Sequence, residues 1–210
     1  MAAARARPPG MRIFVAGASG LIGARLVRLL TAAGHEVAGM TRSLGGAGLL
    51  RGLGVEPVIC DVFDLPALTT GVTAFGPEVV FHQLTDLPDD AGEVAAYGER
   101  NNRIRTEGTG NVLAAAAAAG ARVIAQSVSW ELPSGGGRTA VAAHERAVLA
   151  AGGVVIRYGQ FHGPGTYYPG TPPPPPRIDI DEAARQTLAA LAVPPGLTIV
   201  IDDRAAEPES

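Results

Sequence analysis

Residues Met11 to Gly23 read MRIFVAGASGLIG, and their pattern indicates the fold class of the chain. Its first part, Met11 to Ala16, is a short apolar run that is typical of a buried parallel strand. Glycines then follow in the spacing G-x-x-G-x-x-G, and an amphipathic helix is predicted from Leu21 to Ala33. A strand, a glycine loop and a helix in this order predict the first βα unit of a dinucleotide-binding domain.

Each glycine of this loop has a physical role. Gly17 allows a tight turn, Gly20 lets the backbone approach a pyrophosphate, and Gly23 lets the helix pack closely against the strand. The helix N-terminus also offers free N–H groups and a partial positive charge to phosphates. A tight βα turn without a ligand is the alternative interpretation. The residues predicted to bind the cofactor here are Gly17, Ser19, Gly20, Leu21, Ile22 and Gly23.

The end of the second predicted strand, Glu36 to Met40, indicates which dinucleotide would bind. NAD sites usually place an acidic residue about 20 residues beyond the glycine loop, where it holds the ribose 2′-hydroxyl. No acidic residue occurs between Glu36 and Glu56, and Thr41 and Arg42 occupy the expected position. Because an arginine suits a 2′-phosphate, NADP(H) is favoured over NAD(H). A solvated loop arginine is the alternative.

The rest of the chain continues the alternation of strands and helices. Further strands are predicted at residues 57–60, 78–83, 122–126, 154–158 and 197–201, and helices at 91–119, 140–151 and 181–192. This pattern predicts an α/β fold, a Rossmann-type doubly wound parallel sheet in a single domain. That domain is expected over residues 11–203, between a flexible lead (1–10) and a frayed tail (204–210). Residues 171–203 would form a vestigial substrate part, with a stiff connector of five prolines at 172–176 and the last strand.

Composition limits the function. The chain has 210 residues with a net charge of -3 and no basic stripe, so nucleic acid is not an expected partner. No apolar run is long enough to span a bilayer and no signal peptide is recognised, so a cytoplasmic protein is expected. One cysteine permits no internal disulfide, and no metal site is predicted. All 17 basic residues are arginine, which excludes a P-loop lysine and a lysine Schiff base.

Several segments carry a family resemblance because they occur in the right order along the chain. Besides the glycine loop these are CDVFD (60–64), VVFHQLT (79–85), EGTGN (107–111) and RYGQFHGPGT (157–166). The chain resembles the extended short-chain dehydrogenase/reductase superfamily of the NAD-dependent epimerase/dehydratase type. The resemblance implies that Asp61 and Val62 border the adenine and that His82, Gln83 and Leu84 line the ribose side of the cofactor. It also implies a homodimer through the helices around 101–119 and 140–151.

Two departures make this an atypical member of the family. The family uses a Ser or Thr with a Tyr-x-x-x-Lys pair, in which the lysine holds the ribose and the tyrosine moves a proton. Ser127 or Ser129 matches the serine, but Gly137 and Val141 stand at the tyrosine and lysine positions. The substrate-binding cap that usually follows the Gly-Pro segment is also reduced.

Four residues are candidates for catalysis without that pair. His144 lies on the helix that lacks the tyrosine, His162 lies in the Gly-Pro segment, and Tyr158 follows Arg157. Histidine titrates near neutral pH and is a natural acid or base, although a packing or surface role is the alternative for each. Ser127 would donate a hydrogen bond to the substrate, or it would only cap local backbone.

Three functions remain open at this point. The first is an NADP(H)-linked enzyme of oxidoreductase or epimerase/dehydratase type that acts on a small-molecule substrate. The second is a redox-inactive cyclase, dehydratase or isomerase on the same fold, since the Tyr and Lys are missing. The third is a nucleotide sensor or scaffold without catalysis.

Overall fold

The computed structural model describes residues 10–203, so most of the predicted lead and all of the predicted tail lie outside the described residues. Its strands are β1 (Arg12–Ala16), β2 (Glu36–Thr41), β3 (Glu56–Ile59), β4 (Val79–His82), β5 (Arg122–Val128), β6 (Val154–Tyr158), β7 (Gln160–His162), β8 (Arg177–Asp179) and β9 (Thr198–Ile201). Its helices are α1 (Leu21–Ala32), α2 (Leu44–Gly52), α3 (Leu65–Phe75), α4 (Gly98–Arg103), α5 (Thr109–Ala118), α6 (Gly136–Ala150) and α7 (Ile180–Ala189). Within residues 10–203 no helix has the length and apolar character that crossing a membrane requires.

Seven strands form one parallel sheet in the order β3-β2-β1-β4-β5-β6-β9. Val15 of β1 lies opposite Gly39 of β2 on one side and Phe81 of β4 on the other. The strand order therefore reverses at β1, and a crevice opens there at the carboxyl ends of the strands, where α/β sheets bind ligands. The predicted Rossmann-type fold is confirmed.

The central strands of the sheet, such as β1, β4 and β6, are buried on both faces, which explains their nearly continuous apolar sequences. Alternate residues of β1 point to opposite sides, so that Ile13 and Val15 join one core and Phe14 and Ala16 join the other. The first core packs under α1 and α7, and the second packs under α3, α5 and α6. The glycine loop between β1 and α1 is thereby fixed at both of its ends.

The structure differs from the predicted elements in three places. Two helices, α2 and α3, lie in segments for which no helix was predicted. The long helix expected at 91–119 is divided into a 3₁₀ turn (Ala91–Tyr97), α4, a π-helical turn (Ile104–Gly108) and α5. Two short strands, β7 and β8, form a separate parallel pair beside the main sheet.

Candidate cofactor and active site

A crevice of about 180 Å³ opens at the carboxyl ends of β1, β2 and β4. The glycine loop after β1, the end of β2 and the segment after β4 each contribute residues to its wall, as expected at the switch point of the sheet. We call it the cofactor crevice. It is lined by Gly17, Ser19, Gly20, Met40, Thr41, Arg42, Asp61, Val62, Gln83, Leu84, Thr85 and Ile104.

The glycine loop is built for close backbone approach. Gly17 has a φ of +89°, a conformation that favours glycine, and a Cβ there would lie 2.7 Å from the Gln83 carbonyl oxygen. A Cβ on Gly23 would lie 2.1 Å from the Gly17 carbonyl oxygen, so α1 contacts the loop directly. Gly20 precedes α1 and has no side chain to cap it. The N–H groups of the first helical turn therefore have no capping side chain as an acceptor, and Gly20, which precedes them, lines the crevice.

Polar and charged side chains gather where β2 ends. The Ser19 hydroxyl donates to the Thr41 hydroxyl over 3.2 Å. The Arg42 side chain is 55% exposed. Its Nη2 lies 3.9 Å from Oδ1 of Asp86, a distance too long for a strong ion pair. Asp86 is instead held by Arg100, whose Nε and Nη2 donate to its two oxygens at 3.0 and 3.1 Å. The Arg42 guanidinium is thus left beside the crevice for another anion.

The Gln83 side chain supports a ligand in this crevice. It is 4% exposed and lines the wall, yet neither its amide oxygen nor its amide nitrogen has a hydrogen-bond partner within the described residues. The Tyr158 hydroxyl lies near this amide but is bonded to Thr187 at 2.6 Å. Buried polar groups are nearly always satisfied, so an orphaned amide at a crevice wall fits a bound polar group. The crevice therefore suits a dinucleotide.

A loop over residues 163–168 contacts both α1 and the segment after β4. A Cβ on Gly165 would lie 3.2 Å from Leu21 at the start of α1, and Arg25 donates to the Pro164 carbonyl at 2.7 Å. At its far end the Tyr167 hydroxyl donates to the carbonyl of Pro88. The loop thus joins α1 to the segment after β4.

Ser127, at the end of β5, does not present its hydroxyl proton to a substrate. It donates to Glu145 Oε1 at 2.6 Å, and Arg157 Nε donates to the same oxygen at 2.9 Å. Although burial opposes ionisation, these hydrogen bonds lower the pKa of Glu145. The carboxylate is therefore ionised at neutral pH, and it accepts the hydrogen bond from the Ser127 hydroxyl.

His82 and His144 belong to a buried chain of hydrogen bonds. His144 Nε2 lies 2.9 Å from the Gln126 carbonyl oxygen and must donate to it. Its Nδ1 then accepts from the Thr109 hydroxyl at 2.7 Å, and Thr109 accepts from His82 Nε2 at 3.1 Å. The Leu84 N–H reaches His82 Nδ1 at 3.4 Å. With both rings neutral, every ring nitrogen has a partner inside the protein.

Burial keeps the two histidine rings neutral. It lowers the pKa of His82 to about 3, with His144 as a further cause, and it lowers the pKa of His144 to about 4. Burial also raises the pKa of Tyr158. His162 lies half-buried on the short strand β7. The four predicted catalytic residues are therefore not brought together around one crevice.

A second crevice, of about 350 Å³, lies between the carboxyl ends of β5 and β6 and the first half of α6. Val141, at the position of the missing lysine, forms part of its wall. We call it the α6 crevice. It is lined by Val128, Ser129, Trp130, Glu131, Leu132, Arg138, Val141, Ala142, Glu145 and Arg157.

The structure places most of the predicted cofactor residues in one wall. Four predicted cofactor residues do not line the cofactor crevice: Leu21, Ile22, Gly23 and His82. Ile22 is packed in the core, and Gly23 is enclosed by the loop. Sequence reasoning missed Met40, Thr85 and Ile104 of the lining, of which Met40 and Thr85 adjoin predicted positions. Ile104 comes from the π-helical turn, for which the sequence gives no signal.

The chain matches a known protein family over more than half of its length. The model of the NAD dependent epimerase/dehydratase family matches residues 13–150. The chain belongs to this family. A Streptomyces protein named 3-diazoavenalumate denitrifying reductase is 38% identical over 185 residues, which cover 75% of this chain and 59% of that relative. An uncharacterised protein of Schizosaccharomyces pombe is 52% identical over 62 residues, which cover 30% of this chain and 21% of its own length. The chain therefore spans less than two thirds of either relative.

Solved structures of other proteins share the fold of this chain. Thermus thermophilus UDP-glucose 4-epimerase in complex with NAD has a TM-score of 0.73 at 21% identity, covering 91% of this chain and 78% of its own. A Burkholderia cenocepacia short-chain dehydrogenase in complex with NADP has a TM-score of 0.74 at 19% identity, covering 94% of this chain and 90% of its own. At these identities the similarity establishes the fold alone.

Proposed function

We propose that this chain binds NADP(H) and reduces a small metabolite. The observation that carries the proposal is the cofactor crevice itself, in which a glycine loop and an uncapped helix N-terminus lie beside Arg42 instead of an acidic residue. The Streptomyces relative is named a reductase, which supports reduction over the redox-inactive alternatives. No feature of the described residues favours a sensor or scaffold.

The residues present would each hold one part of the dinucleotide. The glycine loop and the start of α1 would hold the pyrophosphate, and Asp61 and Val62 would border the adenine. Arg42 would pair with the 2′-phosphate, and the orphaned Gln83 amide would bond the ribose side. When bound, the nicotinamide supplies a hydride.

Within residues 10–203, the positions that the family uses for catalysis supply no proton donor for a carbonyl reduction. Gly137 and Val141 replace the family's tyrosine and lysine, and the Ser127 proton is bound to Glu145. His82 and His144 are neutral, buried and fully bonded. We therefore propose an acceptor that takes a hydride and needs no proton from the protein.

A diazonium cation, R–N₂⁺, meets that requirement. Reduction of R–N₂⁺ by NADPH gives R–H, N₂ and NADP⁺: the C–N bond breaks with its electron pair leaving as N₂, the hydride forms the C–H bond, and no proton is taken or released. The printed name of the Streptomyces relative, a denitrifying reductase of a diazo compound, supports this substrate class. His162 would then take no part in the chemistry.

The first experiment is a calorimetric titration with NADPH and with NADH. We expect NADPH to bind, and Arg42→Ala to weaken that binding about tenfold or more because a charge-assisted contact to the 2′-phosphate is lost. NADH binding should change little. Arg51→Ala, an exposed arginine in the last turn of α2, is the matched control and should leave both affinities unchanged. Absence of nucleotide binding by the native chain would contradict the proposal and favour cofactor-free chemistry.

A further inference from the structure

The α6 crevice is a second site with its own chemistry. It has an apolar wall of Val128, Leu132 and Val141, and Trp130 adds a half-buried aromatic face. A planar ring fits such a wall because aromatic side chains stack on flat π-systems and bury much apolar surface. Val141 makes this wall apolar at the position where the family's lysine would place an ammonium group. The wall thus favours an aromatic ligand over a polyhydroxylated one.

Charge in the crevice comes from two arginine–glutamate pairs of different strength. Arg157 and Glu145 are joined through two nitrogens and two oxygens, and Glu145 also holds Ser127. This pair is internally compensated. Arg138 instead pairs with Glu131, whose carboxylate is 84% exposed, through a single contact of 2.9 Å. Exposed pairs of this kind contribute about 0–1 kcal/mol, so a ligand anion in the crevice competes easily for Arg138.

The arginines also have donors left for a ligand. Within residues 10–203 the hydrogen bonds of Arg138 run from Nε and Nη2, which anchor it to the Leu132 carbonyl and Glu131. Those of Arg157 likewise run from Nε and Nη2. The Nη1 amino group of each remains for an acceptor such as a carboxylate, which binds guanidinium groups strongly.

We propose that the α6 crevice binds the substrate and that it selects a planar aromatic compound carrying a carboxylate. The ring stacks at Trp130 and the carboxylate bonds Arg138. This inference rests on the proposed function, because the crevice borders the strand ends where the reduced substrate would meet the nicotinamide. It specifies the substrate class of that function.

Trp130 is the single tryptophan of the chain, so its fluorescence reports this crevice without a label. The probe is 4-hydroxybenzoate, and 4-hydroxybenzamide is its neutral counterpart of the same shape. We expect saturable quenching by the carboxylate, and affinity for the amide lower by about tenfold, as for the loss of a charge-assisted hydrogen bond. No nucleotide is added, so failure here is distinct from failure of NADPH to bind.

Three variants separate recognition from folding. Arg138→Gln should lower the affinity for 4-hydroxybenzoate to that for the amide, whereas Glu131→Gln should raise it about twofold by releasing Arg138. A merely structural role of this pair would not give opposite signs. Arg185→Gln, an exposed arginine on α7 that pairs with Glu182 away from the crevice, should change neither affinity. Absence of saturable quenching, equal affinity for acid and amide, or no gain in Glu131→Gln would overturn the proposal.

Discussion

Histidine is a common catalytic residue, but the buried His82 and His144 have a structural role in this protein. Each ring is closed on both nitrogens by Thr109 and by backbone groups, and their centroids lie 5.4 Å apart in an edge-on contact. Two cations at this distance inside a core would be costly, so both rings stay neutral. The predicted proton donor His144 therefore has no ring nitrogen left for a substrate.

This arrangement predicts acid sensitivity. In the folded state the histidine pKa values lie near 3 and 4, whereas an unfolded chain titrates near 6.5. Below about pH 6.5 the unfolded state binds more protons, so the free energy of unfolding falls by up to about 1.4 kcal/mol per pH unit for each histidine. Urea unfolding between pH 7 and pH 5 measures this.

A double variant is the control for that measurement. The double variant His82→Asn, His144→Gln replaces the two titrating rings by side-chain amides, which can still form hydrogen bonds. The free energy of unfolding should therefore become nearly independent of pH over the same range. The window lies above the range where Glu145 protonates, because the pKa of that carboxyl is lowered. A native chain equally stable at pH 7 and pH 5 would contradict the assignment.

At the scale of elements, the junction of β1 and α1 depends on backbone geometry. Gly17→Ala places a methyl group in a left-handed conformation and 2.7 Å from the Gln83 carbonyl, so we expect a loss of about 1–3 kcal/mol in stability. Gly48→Ala in α2 is the matched control. Nothing lies within 4 Å of its Cβ, and it should stabilise by about 0.5–1 kcal/mol. Chemical denaturation distinguishes the two, and equal effects would contradict the loop geometry.

The elements also show what sequence reasoning can reach. The seven strands of the main sheet were predicted within a few residues because strands of a parallel sheet are short, nearly continuous apolar runs. Helix α2 was missed because three of its nine residues are internal glycines, which hide the helical pattern although Ser43 caps it. Helix α3 carried readable signals, the Asp64 cap, Pro66 in the first turn and a left-handed Gly76 at its end.

The sequence predicts those residues of the candidate site that belong to local motifs, but not the contacts between distant residues. The glycine loop and Arg42 follow from spacing along the chain, and both line the cofactor crevice. The bonds from Ser127 to Glu145 and from Thr109 to the two histidines join residues 18 to 35 positions apart. Such pairings depend on how helices pack over the sheet, and no local pattern encodes them.

For the whole molecule we propose a homodimer through the helices around 101–119 and 140–151, as the family resemblance implies. On α5 the exposed side chains Ala114, Ala117 and Ala118 leave a flat surface of small residues, which allows close helix packing. Sedimentation of the native chain should give a dimer and Ala117→Arg a monomer. Ala189→Arg, exposed on α7 at the opposite face of the sheet, should remain dimeric. A native monomer would contradict the assembly.

The proposed reaction depends on hydride transfer without a proton from the protein. Its most direct test uses NADPH deuterated at C4 and an arenediazonium salt bearing a carboxylate, with the rate taken above a protein-free blank. We expect the arene product to carry one deuterium from the nicotinamide, with N₂ and NADP⁺ formed in equal amounts, and a parallel reaction of unlabelled NADPH in D₂O to give a product without deuterium. Deuterium from the solvent in the product, or no turnover by a chain that binds NADPH, would contradict it.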